Sequence, residues 1–142
     1  MTKNQTLASN RLRLVLRANA TTSAAGGAIA LVAASWVSRE LGIDHVVLTR
    51  VLGAGLVLFA LQVLMISRAS EPRLLTESLF VSAGDAAWVI GSIVVILTGV
   101  LSSTGNLVIG LVALGVADFG ATQLWFRSKA VDSSPTLERV AA

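Results

Sequence analysis

Residues 46–67 read VVLTRVLGAGLVLFALQVLMIS, and this stretch decides the class of fold. Between Val51 and Ile66 only Gln62 interrupts the apolar run. As a helix the stretch would be about 33 Å long, at about 1.5 Å per residue. The hydrocarbon core of a bilayer is about 30 Å thick. The stretch therefore predicts a helix that crosses a membrane.

Three further stretches have the same length and character, at residues 18–38, 79–101 and 107–126. Their connections are short, and none of them alternates apolar and polar residues as a strand would. The predicted fold is all-α, an up-and-down bundle of four transmembrane helices in a single membrane domain covering 1–142. Residues 1–10 and 130–142 are polar or small and are predicted to be mobile cytoplasmic tails.

The composition excludes most other classes of protein. Hydrophobic residues make up 54% of the chain, charged residues 13%, and the mean hydropathy is +0.78. Soluble domains carry roughly 25% charged residues, so this chain has too little charge for a water-facing surface. It has no cysteine and one histidine, which argues against disulfides, thiolate metal sites and multi-histidine centres. We expect no cofactor, no metal and no enzymatic activity.

The distribution of basic residues predicts the orientation. Nine of the 11 Lys and Arg residues lie before the first predicted span, between the second and third, or after the fourth. Because short cytoplasmic segments are enriched in Lys and Arg, both termini are expected in the cytoplasm. The high pI of about 10.6 is therefore explained by the basic residues that flank the spans. Because these residues do not form one basic surface, we expect no nucleic-acid partner.

Two carboxylates fall inside predicted spans, where an ionisable residue costs about 2.5–3.5 kcal/mol and points to function. Asp85 lies eight residues after Glu77, and Asp118 lies nine residues before Arg127. On antiparallel helices this spacing puts both carboxylates at a similar depth in the cytoplasmic half. The candidate ligand-binding or proton-binding residues are these two and the polar or aromatic residues near them, namely Asp85, Asp118, Arg17, Asn19, Gln62, Trp88, Ser92 and Gln123.

Two interpretations of this cluster remain open. In one, Asp85 and Asp118 share a cavity open to the cytoplasm and bind a cation or exchange protons, with Arg17 near its mouth. In the other, Asp85 pairs with Arg17 and Asn19, Asp118 bonds to a neighbouring helix, and the cluster fixes helix packing.

Two runs of the sequence carry a resemblance that indicates the cellular location of the protein. The run Leu16-Arg17-Ala18-Asn19-Ala20, together with Asp85-Ala86-Ala87-Trp88-Val89-Ile90-Gly91-Ser92, resembles small bacterial four-span membrane proteins. The resemblance covers most of the chain and implies a bacterial inner membrane, but no mechanism. The first expectation is a non-enzymatic accessory, assembly or stabilising subunit of a larger membrane complex. The alternative is a small proton- or cation-linked transporter that uses the aspartate pair, as a homodimer. The expected partners are the lipid bilayer and other membrane subunits or a second copy.

Overall fold

The computed structural model describes residues 3–133, and all regular structure in that range is helical. Five helices follow one another along the chain. They are α1 (Lys3–Val32), α2 (Ala34–Leu41), α3 (Val46–Arg68), α4 (Glu71–Thr98) and α5 (Ser103–Asp132). The prediction of an all-helical chain is confirmed.

Three helices, α3, α4 and α5, are long and apolar enough to cross a membrane. A fourth crossing requires that α1 and α2 count together as one span. α3 matches the predicted stretch 46–67 almost residue for residue, whereas α4 and α5 extend well beyond 79–101 and 107–126 at their polar ends.

The first predicted span, 18–38, is wrong as a single straight helix. The chain bends by 98° between α1 and α2. Arg13 donates to the backbone oxygen of Ser67 near the end of α3, and Gly27 faces Gly53 in the first half of that helix. The part of α1 that lies alongside α3 therefore begins about five residues earlier than predicted, near Arg13, and ends at Val32.

The predicted tail at 1–10 is also wrong where the structure describes it. Residues 3–10 are the first turns of α1, and Gln5, Ala8 and Ser9 are buried. These positions continue the helical spacing of Leu12 and Leu16, so they pack against the bundle instead of extending into solvent. In the second predicted tail, residues 130–132 belong to α5, and 134–142 lie outside the described residues.

The four long helices pack side by side, with α1 against α3 and α5, and α4 against α5. α3 and α4 touch only slightly, although they are consecutive.

The bundle has two ends. We use the name terminal end for the one at which α1 and α4 begin and α3 and α5 finish. There Ser9 Oγ donates to Glu71 Oε1 at 2.5 Å, and Arg127 Nε donates to the backbone oxygen of Leu75 at 2.7 Å.

An apolar core fills the terminal half of the bundle. Its buried members come from three helices, α1, α3 and α4, and Phe126 of α5 packs against them. They are Leu12, Leu16, Ala20, Val63, Ile66, Leu74 and Val81.

The opposite end, which we call the α2 end, is closed by α2. Ser38 and Thr49 share a hydrogen bond of 2.7 Å between their buried hydroxyl groups, which fixes α2 to the start of α3. Ser102 donates its backbone N–H to the carbonyl of Leu41 and its hydroxyl to the carbonyl of Glu40. Because the Ser102 hydroxyl also accepts from the Gly105 amide, one residue both caps α5 and holds the end of α2.

Candidate functional site

A buried polar network links α1, α4 and α5 around Asp85, which lies at the midpoint of α4 and is 3% exposed. The amide of Asn19 lies 3.1 Å from Asp85 Oδ1 and 2.9 Å from Oδ2. The amide of Gln123 donates to Oδ2 at 3.0 Å. Both carboxylate oxygens therefore receive hydrogen bonds, one donor coming from each neighbouring helix.

Two hydroxyl groups orient these amides. Ser23 Oγ donates to Asn19 Oδ1 at 3.1 Å, and Ser82 Oγ donates to Gln123 Oε1 at 3.2 Å. Each amide oxygen accepts from a serine, so each amide nitrogen is turned towards the carboxylate. The network is complete for the carboxylate and both amides, as a buried polar cluster must be to avoid a large desolvation cost.

Asp118 lies outside this network. Gly120 is the residue of α5 that faces Asp85, since a Cβ added there would lie 3.5 Å from the Asp85 Cβ. A step of two residues moves only about 3 Å along a helix but turns it by about 200°. Asp118 is therefore at nearly the same depth as Asp85, as predicted, but on the far face of α5, where it is exposed. Of the two open interpretations, the one in which both carboxylates share a cavity does not fit this geometry, because Asp118 is not among the residues that line the cavity beside Asp85.

Arg17, which was predicted to lie near Asp85, is also turned away from the network by the rotation of its helix. It lies two residues from Asn19, so it projects from the opposite face of α1 and is exposed. Within residues 3–133 the ion pair is between Arg73 and Glu77, and Asp85 has no basic partner. The prediction that Asp85 pairs with Asn19 is confirmed, and the prediction that it also pairs with Arg17 is wrong.

The other predicted site residues are dispersed. Gln62 is exposed on α3 and lines a cleft of about 240 Å³ with Arg73 and Glu77 near the terminal end. Trp88 is half-buried one turn from Asp85, and its buried Nε1 has no hydrogen-bond partner among the described residues. Ser92 is buried, and its hydroxyl donates to the backbone oxygen of Trp88 at 2.8 Å.

A cavity of about 500 Å³ lies between the helices, and Asp85 is part of its wall. α1, α3, α4 and α5 all contribute to the lining, which is mainly apolar. Three aromatic residues, Phe59, Trp88 and Phe119, come from three different helices. The cavity is partly open to the outside of the bundle.

One interpretation of the sequence placed a cavity at Asp85, but the pattern did not indicate its volume or its apolar lining, because the volume depends on residues that lack side chains. Gly26, Gly55 and Gly115 line it, and a Cβ added at any of them would meet nothing within 4 Å. Ser82 was also missed as a member of the network, although its position one helical turn before Asp85 places it on the same face.

The chemistry available at this site is limited. Within residues 3–133, no group of three His, Asp or Glu side chains lies close enough to hold a metal ion. Around Asp85 there are two amides, two serine hydroxyls and the aromatic rings. This arrangement is suited to binding a ligand or to fixing helix packing.

The chain matches no protein-family model, and no curated protein or solved structure is significantly similar to it.

Proposed function

We propose that the chain is a non-enzymatic subunit of a bacterial inner-membrane complex, anchored by four crossings, with both termini in the cytoplasm. In this arrangement α1, α3, α4 and α5 cross the bilayer and α2 lies along its outer surface. The charge distribution supports the orientation. Of the basic residues between 3 and 133, all but Arg39 and Arg50 lie in the terminal half of the bundle, and basic residues concentrate on the cytoplasmic side of membrane proteins.

The observation that carries the subunit assignment is the exposure of Asp118. It lies on the outer face of α5, at the depth of the buried Asp85, and no described residue donates a hydrogen bond to it. A carboxylate facing hydrocarbon costs about 2.5–3.5 kcal/mol by insertion scales. Aspartate is too short to reach the interface from that depth, which is about 13 Å from Arg127 along the helix. A second membrane protein that covers Asp118 would remove this cost.

The residues around Asp118 form a continuous face suited to such contact. The face repeats at alternating intervals of four and three residues, the spacing of a helix-pairing seam. Its members are all exposed in this chain, and we call them the Asp118 face: Leu107, Leu111, Leu114, Asp118, Ala121 and Trp125. A single polar residue in such a seam fixes the register and the choice of partner.

The chemistry of Asp118 defines the partner. A transmembrane helix with a lysine, arginine or amide side chain at the same depth would donate to the carboxylate and pack on the leucines. A second copy of this chain would instead bring two carboxylates together, which is electrostatically unfavourable. We therefore propose a different membrane protein as the partner. The separation of Asp85 from Asp118 gives no support to the transporter alternative, which was based on an aspartate pair.

The test is site-specific photo-crosslinking in the native membrane. A photoreactive residue at Leu114, which is 69% exposed on the Asp118 face, is expected to crosslink to one other membrane protein. The same residue at Ile90, which is 63% exposed on α4, is the matched control and is expected to crosslink only to lipid. D118K is expected to reduce the Leu114 crosslink at least tenfold, because it places a positive charge opposite the partner's donor.

The charge reversal has its own control on the same helix. D132K changes an exposed aspartate at the end of α5, about 21 Å along the helix from Asp118 and beyond the last residue of the Asp118 face, and is expected to leave the crosslink intact. A Leu114 crosslink to a second copy of the chain would contradict the assignment, as would a crosslink that D118K leaves unchanged.

A further inference from the structure

The cavity beside Asp85 combines a buried carboxyl group with an apolar wall, and no basic side chain of residues 3–133 pairs with that group. Asp85 is 3% exposed, and among residues 3–133 its hydrogen-bond partners are the neutral amides of Asn19 and Gln123. Neutral amides satisfy the hydrogen-bonding capacity of a carboxylate but do not neutralise it. A positively charged ligand would supply the missing charge.

The remaining wall favours an organic cation over a metal ion. Metal ions such as Ca²⁺ bind six to eight oxygen atoms. Here the side-chain oxygens in the lining, besides those of Asp85, belong to Thr22 and Ser23, and the Ser23 hydroxyl is already bonded to Asn19. Aromatic rings, in contrast, attract cations through their faces when the cation is desolvated. Phe59, Trp88 and Phe119 provide three such rings.

We propose that this cavity binds a compact, apolar, monovalent organic cation, with Asp85 facing its charge and the three aromatic rings facing its apolar groups. The volume of about 500 Å³ lies within the range of small-molecule sites, about 300–1,000 Å³. The cavity is separate from the Asp118 face, so ligand binding does not depend on the proposed partner.

The test uses tetraphenylphosphonium as the cation and triphenylphosphine oxide as a neutral molecule with similar rings. Calorimetric titration of the full chain in lipid nanodiscs is expected to show saturable, one-to-one binding of the cation. D85N is expected to weaken that binding at least tenfold. Because Asn19 and Gln123 can reverse their amides to pair with an asparagine, the network retains its hydrogen bonds in this variant.

D118N is the matched control, since it removes a carboxylate at the same depth but outside the cavity. It is expected to bind the cation like the wild type. The neutral compound is expected to bind at least tenfold more weakly than the cation. Equal binding of both compounds would overturn the proposal and indicate an apolar cavity filled by lipid chains.

A second variant tests whether the cation binds in this cavity without changing the charge of any side chain. G115L places a side chain into open space in the cavity and is expected to block cation binding. G91L adds the same side chain at an exposed glycine of α4 that does not line the cavity, and is expected to have no effect. Binding that survives both D85N and G115L, or no binding by the wild type, would overturn the proposal.

Discussion

G27V is expected to push α1 away from α3 and to lower the free energy of unfolding by about 3 kcal/mol, the upper end for overpacked sites. A Cβ added to Gly27 would lie 2.7 Å from the backbone oxygen of Gly53 and 2.9 Å from Val57 Cγ2. The first of these atoms belongs to the main chain and cannot rotate away. Because α1 packs most extensively on α3, the strain falls on the largest helix contact in the bundle. Denaturant titration in mixed micelles measures this decrease in the free energy of unfolding.

The neighbouring glycine provides the control. G26V introduces the same side chain one residue earlier, where an added Cβ meets nothing within 4 Å. Its expected effect on the free energy of unfolding is below about 1 kcal/mol, because glycine and valine differ by less than that in helix propensity. Similar losses from G26V and G27V would show that the close approach of α1 to α3 at Gly27 does not determine the cost of the substitution.

N19L is expected to lower the free energy of unfolding by about 2 kcal/mol, because the Asp85 carboxylate loses the donor that reaches both of its oxygens. Leucine has the same branching at Cγ as asparagine but is larger and has no polar atoms, so N19L removes both hydrogen bonds and also adds volume at a buried position. Gln123 would still donate to Oδ2, which leaves Oδ1 without a donor among the described residues.

A double-mutant cycle separates this effect from a local packing defect. With D85N already in place, N19L is expected to cost at least 1 kcal/mol less, since no carboxylate is then left with an unpaired oxygen. T21A, on the exposed side of α1, is the matched control and is expected to be near neutral. Additive losses from N19L and D85N would contradict the proposed coupling.

Hydropathy predicted the helices well where a span has no internal break. α3 begins and ends almost where the apolar run does, because Arg68 and the following polar residues end it. The break at Ala33 has no such signal, since residues on both sides of it are small or apolar. Hydrogen bonds between distant residues hold α2 in place, including Ser38 with Thr49 and Ser102 with Leu41. A single apolar run does not contain that information.

The relative level of Asp85 and Asp118 along the bundle was predicted correctly, but the direction of each side chain around its helix was not. Residue counts from the helix ends placed Asp85 and Asp118 at similar depth, as the structure has them. The rotation of about 100° per residue then decides which residues meet, and it sends Asp118 and Arg17 to the outside. To use this rotation for a prediction, one must know which face of each helix is buried. The apolar residues of α4 and α5 occur on all sides of the helix, so the sequence does not show the buried face.

The most direct test of the membrane topology is labelling of single cysteines in spheroplasts with a membrane-impermeant maleimide. The chain has no native cysteine, so each introduced thiol reports one position. H45C and S103C, both exposed at the α2 end, are expected to react in intact spheroplasts. S70C and S128C, exposed at the terminal end, are expected to react only after permeabilisation. Labelling of S70C or S128C in intact spheroplasts would contradict the four-crossing arrangement with cytoplasmic termini.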